Sequence, residues 1–175
     1  MKHGAALAVT LGAVAAVLLV RPKAGGGMAS RINYAPGIVA RTADEADAFY
    51  RDVYAGLGLT PTPELMRFAQ AWRLSEAGRA AWNPFNTTWA RGKASDYNTV
   101  GVGNYPDRAA GLAATVGTLR LRYYRDLRDR MARGSLAVDI ASSPDLRTWG
   151  TRDLVRRVLV ANPGAIPYRS PLYGA

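Results

Sequence analysis

The stretch S-E-A-G-R-A-A-W-N-P-F-N-T-T-W, Ser75 to Trp89, holds a single acid, Glu76, followed by a polar loop that no amphipathic helix would choose. Cleavage of a glycosidic bond needs a carboxylic acid that is still protonated near neutral pH, so that it can give a proton to the leaving oxygen. Glu76 falls in the last turn of a helical pattern that stops at Gly78. The partial negative charge of a helix C-terminus disfavours a carboxylate there, and removal of water by Trp72, Trp82 or Phe85 would act the same way. On this reading the helix positions the acid and the loop builds a cleft wall. On the competing reading Glu76 pairs with Arg73 or Arg79 on a solvated helix end.

Other residues of the stretch that follows can serve such a site. Asn86, Thr87 and Thr88 could hydrogen-bond N-acetyl groups or a water, or could cap their own loop. Asp96 could orient a water, although loop aspartates commonly serve turns. Asp107 is explained as the N-cap of a helix. Tyr97 and Tyr105 could stack on sugar faces or join the core, and Trp149 with Gly150 reads as a packing and turn device. Gly101 to Gly103 is no phosphate loop, since no Lys-Ser/Thr follows. The chain has no cysteine and one histidine, His3, which excludes disulfides, thiolate or multi-histidine metal sites and histidine catalysis. Carboxylates, hydroxyls and amides must carry any chemistry, with no cofactor and no metal.

The elements that position these residues are mainly helical. Thr42 and Glu45 have capping-box spacing, and the pattern predicts a helix carrying Ala46, Phe49, Val53 and Tyr54 that ends near Gly56 to Gly58. Thr62-Pro63-Glu64 opens a second helix, with Pro at its first position and Leu65, Phe68, Ala69 and Trp72 as its apolar stripe. The irregular stretch from Trp82 to Pro106 leaves room for a small β-hairpin. Asp107 caps a third, long helix whose stripe runs through Leu112, Val116, Leu119, Tyr123, Leu127 and Met131 to Gly134. A short helical piece from Leu136 to Ala141 and a turn follow. A last amphipathic helix carries Leu154, Val155, Val158 and Leu159.

The ends of the chain read differently. Gly4 to Val20 is a run of 17 uncharged residues flanked by Lys2, Arg21 and Lys23, at the short end of the roughly 17–25 needed to span a bilayer. A membrane anchor is the preferred reading over a cleaved signal peptide, because Arg21, Pro22 and Lys23 follow at once. The resulting division is an anchor over 1–23, a linker over 24–41, a domain over 42–161 and an extended Pro/Tyr tail over 162–175, suited to pairing with a partner. Among the 175 residues 49% are hydrophobic, enough for a packed core, and the net charge is +10 with a pI near 10.4. Such a surface suits polyanions: anionic lipid, an anionic cell wall, or nucleic acid. Nucleic acid is the least supported, because the basic residues alternate with acids, as in R-Y-Y-R-D-L-R-D-R from Arg122.

The ordered blocks W-R-L-S-E-A-G, N-P-F-N-T-T-W, Y-N-T-V-G-V-G-N-Y-P, A-G-L-A-A-T-V-G-T-L and T-W-G-T resemble a lysozyme-superfamily domain of phage and actinobacterial wall hydrolases. The resemblance covers about Glu64 to Arg152. It implies a mainly α fold of the α+β lysozyme kind, with a small irregular or hairpin cleft segment and Glu76 as the catalytic acid. Gly101, Val102 and Tyr105 would take the place of the strand that lines the cleft in soluble lytic transglycosylases. Two departures stand out: Ala77 follows the glutamate where Ser or Gly is usual, and the G-V-G-N block has no Gln. The implied activity is cleavage of the MurNAc–GlcNAc bond of peptidoglycan by a hydrolase or lytic transglycosylase. The enzyme would be anchored in the membrane with its domain on the wall side, or carried in a phage virion with other virion proteins. The alternative is a non-catalytic virion or wall-binding protein on the same scaffold.

Overall fold

The computed structural model describes residues 43–167, and these form a mainly helical domain with one very short sheet. Helix α1 (Ala43–Gly56) begins with Asp44 and Glu45, whose charges suit a helix N-terminus. It buries Ala46, Phe49, Tyr50, Val53 and Tyr54, the three- and four-residue spacing of one helical face. Helix α2 (Pro63–Glu76) starts as its sequence dictates. Thr62 Oγ1 accepts the Leu65 N–H at 3.2 Å, and Pro63 occupies a position whose N–H would have no partner within the helix. Thr42 of the expected capping box lies outside the described residues, as do the anchor, the linker and residues 168–175.

The irregular stretch holds the expected hairpin. Strand β1 (Ser95–Asp96) pairs antiparallel with β2 (Gly103–Asn104), Ser95 opposite Asn104 and Asp96 opposite Gly103. Helix α3 (Arg108–Leu119) is capped by Asp107, whose carboxylate accepts the Ala110 N–H at 2.8 Å.

The long third helix does not run on to Gly134. After α3 the chain turns extended at Leu121 (φ −60°, ψ 149°), makes a 3-10 turn at Arg122–Tyr124, and resumes as α4 (Arg125–Ala132). No helix-breaking residue marks the spot; the break is held from outside. Arg128 reaches back and donates to the carbonyls of both Leu119 and Leu121, taking over acceptors that the helix has left without partners. The break also changes the phase of the stripe, so that Tyr124 is buried and Tyr123 stands 54% exposed, while Leu127 and Met131 remain in the core.

The chain closes with α5 (Ala137–Ile140), α6 (Asp145–Trp149) and α7 (Arg152–Ala161). The sequence reading had only a turn where α6 stands. Helix α2 is the central element and packs against α1, α5 and α7, while α1 also packs on α3. The first part of the tail folds back on its own domain. Arg67 of α2 donates to the carbonyls of Leu159, Asn162 and Gly164, and Ile166 is buried. Among the described residues no helix is long and apolar enough to cross a membrane.

The loop after α2 reaches α3 through a close backbone approach. A Cβ on Gly111 would lie 2.0 Å from the Trp82 carbonyl oxygen. Gly111→Ala therefore forces α3 off the loop, and we expect a loss of about 3 kcal/mol, the upper end of ordinary overpacking, read as a lower urea midpoint in equilibrium unfolding.

Candidate active site

Glu76 is the last residue of α2, and Ala77 behind it adopts the left-handed conformation (φ 47°, ψ 28°) that ends the helix. Its N–H bonds back to the Arg73 carbonyl at 3.2 Å. The return of the chain brings N-P-F-N against the helix end. Gly78 makes this possible: a Cβ there would sit 2.9 Å from both Asn86 Oδ1 and the Pro84 carbonyl.

Two N–H donors hold the carboxyl of Glu76. Trp72 Nε1, one turn back on the same helix face, donates to Oε1 at 3.0 Å. Asn86 Nδ2 donates to Oε2 at 3.1 Å and to the Glu76 carbonyl at 3.0 Å. Aromatic rings close the surroundings. Trp72 packs against Phe85 (4.6 Å between centroids) and edge-on to Trp149 (4.7 Å), and Trp149 lies 5.1 Å from Tyr124. Trp149 Nε1 is fixed by the Phe85 carbonyl at 2.9 Å. Burial in this cage raises the Glu76 pKa from 4.5 to about 7, outweighing the opposing effect of the Thr151, Trp72, Asn86 and Trp149 side chains, whose hydrogen-bonding groups favour the ion. Thr151 is close enough to influence the carboxyl, yet its buried Oγ1 makes no hydrogen bond of good geometry. Tyr124 feels the same site: burial, then the charges of Asp145 and Glu76, push its hydroxyl up to about 12.

The remaining candidates divide into two groups. Asn86, in a left-handed conformation (φ 54°) that asparagine tolerates, touches the acid directly. Thr88 is exposed, and Tyr97 is 46% exposed on the hairpin. Asp96 is exposed and forms an ion pair with Lys93 at 2.5 Å, the turn-serving role open to a loop aspartate.

Thr87, Val102 and Tyr105 are buried. Thr87 Oγ1 meets Thr118 Oγ1 at 2.5 Å. Since Thr118 donates to the Ala114 carbonyl, Thr87 is the donor of that pair, and it also accepts the Trp89 N–H. Tyr105 donates from its hydroxyl to the Trp89 carbonyl at 2.6 Å, so its ring belongs to the core and offers no face to a sugar. Gly101 (φ 85°) turns the hairpin. Asn83, fully buried, organises the loop: Nδ2 donates to the Thr87 and Gly103 carbonyls, and Oδ1 accepts the Thr87 N–H, all at 2.8 Å.

Sequence reasoning did not bring Tyr124 or Thr151 to Glu76. The spacing of Trp72 and Glu76, four apart on one helix, was a usable signal for the indole contact. Among the described residues no group of three or more His, Cys, Asp or Glu is arranged to hold a metal.

Two outcomes follow from this geometry. Ala77→Gly relieves a left-handed alanine and should stabilise the domain by about 1 kcal/mol in denaturant unfolding. The folded chain keeps the Glu76 proton up to about 7 and the unfolded chain releases it near 4.5, so the folded state binds more protons between these values. Stability then falls as pH rises through that window, by up to about 3 kcal/mol. Thermal unfolding of the wild type should show this decline, and Glu76→Gln should flatten it.

No protein-family profile matches this chain, and no curated protein or solved structure matches it.

Proposed function

We propose that this chain cleaves the glycan strands of peptidoglycan, with Glu76 as the general acid and a lysozyme-like α+β arrangement as its fold. The observation that carries the reading is the caged carboxyl with a pKa raised to about 7, because such a group still holds a proton at neutral pH. Burial keeps the proton on the acid before reaction. The Trp72 and Asn86 N–H groups stabilise the carboxylate left behind once the proton has moved to the glycosidic oxygen and the bond to the sugar C1 has broken.

Asp96 is engaged with Lys93, so the substrate's own N-acetyl or 6-hydroxyl group takes the nucleophile's part. Thr88, Tyr97 and Asn86 are the candidates that remain for sugar contacts. The reading includes a membrane anchor over 1–23 that leaves the domain on the wall side, or a place in a virion beside other virion proteins. A net charge of +10 favours an anionic wall.

One observation favours the non-catalytic alternative of a wall-binding or virion scaffold. The Asn86 amide that holds the Glu76 carboxyl also caps the Glu76 carbonyl, so the same pair anchors the loop to α2.

Full-length chain in mild detergent, incubated with purified sacculi, should release muropeptides at a rate that declines as pH rises past about 7. Glu76→Gln should lower that rate by about 100- to 10,000-fold. Mass spectrometry distinguishes a hydrolase from an anhydro-forming transglycosylase by one water. Sacculi bound but uncut by both forms would establish the scaffold role instead.

A further inference from the structure

Thr151 is the N-cap residue of α7, yet its side chain makes no capping hydrogen bond. Threonine at an N-cap ordinarily satisfies an N–H of the first turn, so this hydroxyl has given up its local task. It is buried, and it has no partner of good geometry. An unpaired buried hydroxyl is costly, which calls for a partner that the static arrangement of heavy atoms does not display.

The surroundings identify that partner. Gly150, left-handed at φ 96°, ends α6 and turns the chain between Trp149 and Thr151. Trp149 is locked by its edge-on contact with Trp72 and its bond to the Phe85 carbonyl. This leaves Thr151 beside the Glu76 carboxyl, whose oxygens each already accept one N–H, from Trp72 and from Asn86. Both donors are N–H groups and can only donate, so neither can accept the proton of a neutral carboxyl. A hydroxyl can do either.

We infer that Thr151 is the positioning residue for the Glu76 proton, its hydroxyl accepting from the neutral acid and rotating to donate to the carboxylate once the proton has left. The inference rests on Glu76 acting as a proton donor, but its test does not require sugar cleavage. The other groups that face the carboxyl are Trp72 from α2, Asn86 from the loop, Tyr124 from the 3-10 turn and Trp149 from α6. Only Tyr124 among these titrates, and with its hydroxyl at about 12 it stays neutral. Asp145 lies beyond Tyr124, and Arg152, next along the chain, is engaged with Asp153.

The sign of the effect follows from bond strength. A hydrogen bond to the carboxylate is charge-assisted and about twice as strong as one from the neutral acid. Removing the hydroxyl therefore costs the ion more than the acid.

The chain has three glutamates, Glu45, Glu64 and Glu76, so selective carboxyl 13C labelling of glutamate gives three signals, with Glu76 assigned by its loss in Glu76→Gln. Thr151→Val should raise the Glu76 titration midpoint by roughly half a pH unit to one, and Thr151→Ser should restore it. A midpoint that does not move in Thr151→Val, or that Thr151→Ser fails to restore, overturns the inference. If the valine variant moves the midpoint while the wild type cuts no sacculi, the inference stands and the glycosidase reading falls.

Discussion

An asparagine side chain with no exposed surface ties the domain's irregular half together. Asn83 gives both amide protons to carbonyls, one in its own loop and one in the hairpin, and its oxygen takes the Thr87 N–H. Thr87 continues the chain of bonds to Thr118 in α3. A segment of some twenty residues with almost no regular structure has few backbone ladders to satisfy its polar groups. The buried amide supplies that satisfaction, and each of its bonds would leave a costly orphan if broken. The placement of Asn86 on Glu76 depends on it, because Asn86 lies only three residues further along the same turn.

The carboxyl at the end of α2 illustrates how competing effects set one property. Burial favours the neutral acid, and the neighbouring polar side chains favour the ion. Burial prevails because the rings are arranged in series: Phe68, Trp72, Phe85, Trp149 and Tyr124 each contact another member of the group. Trp72 does two jobs at once. Its ring excludes water from the carboxyl, and its N–H answers one of the carboxyl oxygens. Such an amphipathic side chain suits a group that must be kept dry without being left unpaired.

Much of this was legible in the sequence. Caps and periodicity gave α1, α2, the start of α3 and α7, because these signals act within a few residues of one another. The break at Leu121 was not legible, since what stabilises it is the guanidinium of Arg128, a side chain that the stripe reading had placed on one unbroken helix. The acid itself stood out, as a lone carboxylate before a glycine and a polar loop. Its cage stood out only in part: Trp72 lies on the same helix, whereas Tyr124 and Thr151 reach it from parts of the chain whose distance in sequence says nothing about proximity. Tyr105 and Thr87 show the converse. A tyrosine or threonine in an irregular stretch looks available to a ligand, and only packing reveals that it has been spent on the loop's own hydrogen bonds.

The clamp of Arg67 on the carbonyls of Leu159, Asn162 and Gly164 spans more than ninety residues, and Trp149 joins Trp72 over a similar reach. During synthesis the chain emerges from its N-terminus, and contacts of this span must wait for the distant segment. Helix α2 and its acid are made early, while the residues that shield and partner that acid are among the last of the domain to leave the ribosome. A nascent chain that stops short of α6 therefore carries Glu76 as an ordinary, solvated carboxylate, and the character of the site arrives only with the end of translation.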